Sequence, residues 1–418
     1  MTGYTLMDRQ QEVIIIVTTR PRNRKVLIQA AAAELFRDRG YHDVSVADVT
    51  EAVGITASAL YRHYHGKQEL LLSAIDHVVD QAEAVYGAGP DLDTALRAMA
   101  ALTVKQGGTA ALWQREFRHL DDSQRAHIVA RGTDQARLIQ RLVRAERPEL
   151  SRPDTVLISL ALAGLFSIEF DRRPSLGVRR TEDLLYRMAR AVAGITLGIP
   201  ERLSLETPPS VDAAHSAAGL RMPRRDLLFN AGVQLFDEHG FQSVGLGDIA
   251  EAAGIVRSGA YRYYANKTEI LVAATTMAMD RLRMETANAL SRAEEPGDAL
   301  RLLIEAHVRV VIDHAQLLGL VIHDRRELPP EDRVRADRFL DDYMDMWMQA
   351  LGQIGDIENP NEARTAIVAT QAMIQFATRW GPERRRGDLA ERLVELAIAA
   401  ISVAVDLPDP RASISARK

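Results

Sequence analysis

An all-α protein built from two tandem copies of one helical domain is the fold class that this sequence predicts. Three observations predict it. A pattern of about 50 residues recurs at an offset of 200. Apolar residues keep a helical rather than an alternating spacing along most of the chain, and strand signals are absent. The length of 418 residues, 47% of them apolar and 26% charged, is more than one hydrophobic core normally organises.

Composition removes several classes of chemistry. With no cysteine there is no disulfide, no thiolate nucleophile and no cysteine-ligated zinc or iron–sulfur site. No glycine-rich phosphate loop, His-x-x-x-His pair or Gly-x-Ser-x-Gly elbow is present, so no enzyme, cofactor or metal is expected. Runs such as Val156 to Ile168 are too short to span a bilayer, and Val13 to Val17 is shorter than a signal h-region. A cytoplasmic protein without a membrane partner is therefore expected. The net charge of −5 hides a split. Residues 20–67 hold eight Lys/Arg against five Asp/Glu, and residues 221–267 hold six against five. Two mildly basic islands sit in an acidic chain, and local fields rather than the net value steer a polyanion.

The repeat is direct. Leu35-Phe36 and Gly40-Tyr41 return as Leu235-Phe236 and Gly240-Phe241. Glu51-Ala52-Val53-Gly54-Ile55 returns as Glu251-Ala252-Ala253-Gly254-Ile255. Across 24–72 and 224–272, 19 of 49 positions are identical without a gap. So long a period is a duplicated domain, not a solenoid. Between the copies, 200–222 contains Pro208-Pro209, Ser210 and Gly219, shows no sustained periodicity and reads as a linker.

Each copy opens with a head. In the first, Leu27, Ala31, Leu35 and Phe36 share a helical face, and Gly40 stands where that helix ends. Ser45 is placed to cap a short helix that turns Val46, Val49 and Val53 inward and stops at Gly54. A second short helix, about 57–64, follows after a turn of three or four residues. Lys67 and Glu69 then open a long helix carrying Leu70, Leu71 and Ile75. Three helices, the last two short ones joined by a tight glycine turn, describe a helix-turn-helix. The DNA major groove admits one such helix. Thr56, Ala57, Ser58 and Ala59 are small and allow close backbone approach; Tyr61, Arg62 and His63 then reach outward to phosphates. Their counterparts are Val256, Arg257, Ser258, Gly259, Tyr261, Arg262 and Tyr263. Lys67 and Lys267 stand at helix starts that favour a phosphate. Arg24, with Arg20, Arg22 and Lys25, and Arg224, with Arg221 and Arg225, form either backbone-touching arms or plain charged surface. Leu60, Tyr64, Ala260 and Tyr264 are either core or contact residues. Arg257 can pair bidentately with guanine and Ala57 cannot, so two unequal half-sites and a non-palindromic operator are expected.

These motifs resemble the DNA-binding head of TetR/AcrR-type repressors over about 50 residues in each copy. The resemblance rests on Phe36, Gly40-Tyr41, Val49, Gly54, Leu60-Tyr61-Arg62-His63-Tyr64 and Lys67-x-Glu69-Leu70-Leu71. It implies a sequence-specific, ligand-released repressor whose partner is a double-stranded DNA operator. By resemblance Tyr61, Lys67, Tyr261 and Lys267 touch phosphates. Thr56 to Ala59 with His63, and Val256 to Gly259 with Tyr263, face bases, and Ser45 is counted beside them. Family members carry one head per chain and act as homodimers. This chain carries two, and with Leu112 to Phe117 it is similar to the single-chain tandem TetR regulators of actinobacteria, some of which control lipid-import operons.

Both tails stay helical. Their most apolar stretches are 154–172 and 183–197 in the first copy, and 363–376 and 389–405 in the second. The resemblance implies that such a pair forms a four-helix interface, expected here between the two copies of one chain as a pseudo-dimer; a homodimer is the competitor. It also implies a pocket for a small hydrophobic, lipid-like effector. Candidates are Met99, Leu102, Trp113, Phe117 and Phe166 in the first copy. In the second they are Met277, Met284, His307, Val311, Met344, Trp347, Met373 and Phe376. The expected division is an arm 1–19, a head 20–72, a ligand-binding and pairing tail 73–199, a linker 200–222, a head 223–272, a second tail 273–407 and an end segment 408–418. An activator, and a helical scaffold that has lost DNA binding, are the alternative functions.

Overall fold

The computed structural model describes residues 24–107, 112–168, 176–198, 221–380 and 386–405, the side chains of Trp113 and Gln114 excepted. The expected arm, the end segment and most of the linker, together with Arg20, Arg22 and Phe170, lie outside the described residues. Among the described residues there is no β-strand, and no helix is long and apolar enough to cross a membrane. The chain divides into two compact units, 1–77 and 78–418.

In the first unit, α1 (Arg24–Arg39), α2 (Val46–Val53) and α3 (Ala57–Tyr61) precede α4 (Lys67–Ala88). The expected border at 72/73 thus falls inside a helix. The inward row of α1 is Ile28, Ala32, Ala33 and Phe36, not the row that starts at Leu27, which is 44% exposed. In a helix this rich in alanine, two adjacent rows carry similar apolar weight, and packing chooses between them. Gln29 donates to Ser73 Oγ at 2.7 Å, and Ser73 donates to the Tyr64 hydroxyl at 3.0 Å. Tyr64 and Leu60 are therefore core, as are Tyr264 and Ala260 in the second copy.

The second unit begins with the first tail: α5 (Leu92–Lys105), α6 (Leu112–Glu116), a 3-10 turn (Phe117–His119), α7 (Asp122–Glu146), α8 (Arg152–Leu165) and α9 (Val178–Gly194). The second head follows as α10 (Arg224–His239), α11 (Leu246–Ala252), α12 (Arg257–Ala260) and the start of α13 (Lys267–Leu290). The second tail adds α14 (Ala299–Asp313), α15 (Ala315–His323), a 3-10 turn (Arg325–Glu327), α16 (Pro330–Gly352), α17 (Pro360–Arg379) and α18 (Leu389–Ile401). The duplication persists in the tails at a shifted register. Phe117–His119, Leu120 and the start of α7 match Arg325–Glu327, Leu328 and the start of α16, each 208 positions on.

The two tails interlock through α8, α9, α17 and α18. At Gly164, α8 crosses α17 closely. A methyl added there would lie 2.7 Å from Phe376 Cβ and 2.9 Å from Met373 Cα, both on α17. Charged groups frame the apolar seam. Arg187 on α9 pairs with Glu362 and donates to Val403 O at 2.7 Å. Arg386 reaches Asp154 at 2.9 Å, and Arg392 donates to Gly198 O at 2.6 Å. Separately, α10 packs on α15 and on the Phe117–His119 turn. There Arg118 makes a bidentate pair with Asp324, both contacts 2.8 Å, and Arg379 pairs with Asp237 at 3.2 Å.

Inside the second tail, His307 is buried with Tyr343 and Trp347. Its Nδ1 lies 3.1 Å from the Tyr343 hydroxyl, the Trp347 ring stands edge-on at 5.5 Å, and Nε2 has no hydrogen-bond partner. Burial pushes the His307 pKa down from 6.5 to about 4, so the ring is neutral at pH 7.

Two stability tests follow from this packing. Gly164→Ala forces the backbones at the α8–α17 crossing apart and lowers stability by about 1–3 kcal/mol. Gly132→Ala, in α7 with no heavy atom near the added methyl, raises it by about 0.5–1 kcal/mol. Urea unfolding of the two variants checks the contrast. Because the folded His307 pKa is depressed, the unfolded chain binds the proton more readily. That stability is complete above pH 6.5 and is lost as the pH falls toward about 4, by about 1.4 kcal/mol per pH unit. His307→Phe should remove that component of the slope; equal slopes in the two proteins would count against it.

Candidate nucleic-acid interface

In each head a short helix stands clear of the core. Val44, Val49 and Leu60 hold α2 and α3 from below, and Gly54 takes a left-handed φ of +69° to turn the chain between them. Ser45 caps α2, accepting from Asp48 N at 3.1 Å, while Asp48 accepts from Ser45 N at 2.6 Å. Hydrogen bonds from Ser45 are the main reason that the Asp48 carboxyl stays below its usual range. The Ser45 side chain is therefore engaged in capping. Thr56 caps α3, accepting from Ala59 N at 3.2 Å. Ala57, Ser58, Tyr61, Arg62 and His63 are exposed together on this turn, and Ala59 is half-buried.

The second head repeats the frame with different chemistry. Gly245 replaces Ser45 and offers its N–H to Asp248 at 2.8 Å. Val256 replaces Thr56, is 75% exposed and provides no side-chain cap. Arg257, Ser258, Tyr261, Arg262 and Tyr263 are exposed, with Gly259 half-buried. Arg257 is not a free arm. Its guanidinium lies over Gly247 of α11, where an added methyl would sit 2.5 Å from Cζ and nearer still to Nε and Nη2. Reading the sequence one position at a time missed this; comparing Ala47 with Gly247 beside Ala57 and Arg257 reveals it.

The two lysines are held by their surroundings. Lys67 donates to His42 O at 3.0 Å and sits 4.5 Å from the Tyr41 ring centre. Lys267 donates to Phe241 O at 2.7 Å and sits 4.3 Å from the Phe241 ring. Burial lowers the Lys267 pKa, with Glu327 and Asp248 acting in the opposite sense. Both lysines clamp the turn after the first helix of the head. Arg24 and Arg224 are exposed at the helix starts, and Arg225 lies 5.2 Å from the Tyr264 ring.

The ligand candidates scatter. Met99, Phe166, Val311, Trp347 and His307 are buried core, and Leu102 and Met344 are half-buried. Met373 and Phe376 stand at the crossing with Gly164. Met277 and Met284 face outward, the latter 57% exposed, because their positions on α13 turn away from α14 and α16. Phe117 stacks edge-on with Trp380 at 5.5 Å and lines a 300 Å³ cleft with Arg118, Arg125, Asp237 and Arg379. A 540 Å³ groove between Arg225, Tyr264, Val272 and Asp332 contains none of the candidates. The Trp113 side chain lies outside the description.

Comparison with known proteins follows the same division. The family described as bacterial regulatory proteins, tetR family, matches residues 28–74 and again 228–274. The family described as tetracyclin repressor-like, C-terminal domain, matches 293–403. The regulator EthR of Mycobacterium tuberculosis is 37% identical over 68 residues, 16% of this chain and 32% of EthR. The activator FasR of Mycolicibacterium smegmatis is 36% identical over 61 residues, 14% of this chain and 28% of FasR. The chain thus spans about a third of the length of these relatives. A crystal structure of the TetR family regulator PfmR from Thermus thermophilus is 23% identical, covering 43% of this chain and 96% of PfmR with a TM-score of 0.37. With the N-terminal family domain present twice and a C-terminal domain beside it, the chain belongs to the tetR family of bacterial regulatory proteins, in tandem form.

Proposed function

We propose that the chain is a cytoplasmic transcriptional regulator that binds an operator through two unequal heads and is released by a small apolar effector. The observation that carries this reading is the pair of exposed turns, 56–63 and 256–263, on matching three-helix frames. In this reading Tyr61, Arg62, Tyr261 and Arg262 contact the backbone, and Arg24 and Arg224 add charge at the rim. Thr56 to Ala59 with His63 face one half-site, and Val256 to Gly259 with Tyr263 face the other. Lys67 and Lys267 act mainly by holding each head together. The interlocked tails substitute for the family's dimer, so one chain supplies both heads, with half-sites roughly 34–36 Å apart or a multiple of that.

Effector binding belongs to the tail bundles, where Met99, Leu102, Phe166, His307, Met344 and Trp347 are enclosed or half-enclosed. The neutral His307–Tyr343 pair favours an uncharged polar group on a largely apolar ligand. Release requires the ligand to prefer the unbound arrangement by about 1–3 kcal/mol. Likeness over 61 residues to the activator FasR supports activation as a second reading, distinguished by a reporter placed under the operator.

DNase footprinting and gel shift on genomic fragments test the reading. The expected result is a salt-sensitive footprint over two dissimilar half-sites. Arg257→Ala should relax one base position at a cost of about 1–3 kcal/mol. A perfect inverted repeat bound equally by both heads, or no salt-sensitive binding at all, would overturn it.

A further inference from the structure

Two positions on the second head differ from the first in concert. Ala47 and Ala57 of the first head become Gly247 and Arg257 in the second. The structure joins these two changes. Gly247 lies in the first turn of α11 and Arg257 opens α12. The guanidinium occupies the volume that a methyl on residue 247 would need, with Cζ 2.5 Å from that position. Only glycine leaves this seat empty. Glycine inside a helix weakens it relative to alanine, and α11 has only seven residues. Arg257 also remains exposed, on the same turn as Ser258 and Tyr261, so the seat does not hide it from a duplex.

We propose that Gly247 is a specificity-determining residue of the second head: it seats the Arg257 guanidinium against α11 and thereby fixes which base pair of the half-site Arg257 reads. The inference rests on the DNA-binding function proposed above. Arginine discriminates guanine through a planar, bidentate fit, which depends on the direction from which the fork arrives. A long side chain that is already seated loses less rotamer freedom when it makes that fit. With alanine at 247 the fork is pushed off the helix into solvent, where its direction is no longer set. The first head, with alanine at both positions, has neither seat nor fork. Gly247 touches no base itself; it is a positioning residue.

The test is selection of binding sites from a randomised duplex library by the full-length chain. It uses the wild type, Gly247→Ala, Arg257→Ala and the double variant, with thermal unfolding and affinity for an unrelated duplex measured in parallel. Gly247→Ala should lose about tenfold of the preference at one base pair of one half-site, as Arg257→Ala does. The double variant should lose no more than either single one. Unfolding of Gly247→Ala should be unchanged or shifted upward, and its affinity for the unrelated duplex unchanged. Ala47→Gly combined with Ala57→Arg should introduce the second head's base preference into the first half-site. Retention of the wild-type preference by Gly247→Ala overturns the inference while leaving the regulator reading intact. So does a loss in Arg257→Ala that is uniform over all sequences, which would mark a backbone contact. A wild-type chain that enriches no sequence overturns both.

Discussion

The crossing of α8 and α17 at Gly164 is the contact on which the rest of the second unit depends. Two helices from different copies approach until backbone meets Cβ, and no side chain fits between them. Such an approach fixes the relative rotation of the helices, because neither can turn without driving Met373 or Phe376 into Gly164. Once that angle is set, α9 and α18 close on the same seam. Arg187, Arg386 and Arg392 then find partners on the opposite copy. Exposed ion pairs contribute little alone, but these are partly buried and orient helices that dispersion has already joined.

A second set of contacts reaches from the first copy to the second head. Arg118 holds Asp324, which is almost wholly buried, with both arms of its fork, and also approaches the carbonyl of Phe236 at the end of α10. Gly240 follows with a positive φ of +78°, and His119 packs where a side chain at 240 would project. The Phe117–His119 turn of the first tail is thus part of the bed on which the second head's first helix lies.

Much of this architecture was legible in the sequence because its information is local and periodic. Glycines at 40, 54, 240 and 254, the cap at Ser45 and apolar rows placed nearly every head helix, and the offset of 200 located the second head; the cap at Thr56 was visible only in the fold. The inward row of α1 lies one residue from the expected one, since Leu27 and Ile28 carry the same apolar weight and only packing in the fold decides between them. Partners far apart in sequence left no trace: Arg118 meets Asp324 206 residues away, and Lys67 meets the His42 carbonyl 25 residues back. A lysine at a helix start reads identically whether it awaits a phosphate or grips its own chain. The apolar candidates for an effector site were equally ambiguous, because Met373 and Phe376 have the composition of a pocket wall and the location of a seam.

Joining both copies covalently changes how such a molecule responds to its own abundance. Two separate subunits must first meet, so the number of two-headed particles rises with the square of their concentration when association is weak. The helices that meet at Gly164 share a polypeptide, and their encounter is governed by tether length instead of by dilution. If the two copies pair within one chain, as proposed above, halving the amount of chain halves the paired pool rather than quartering it.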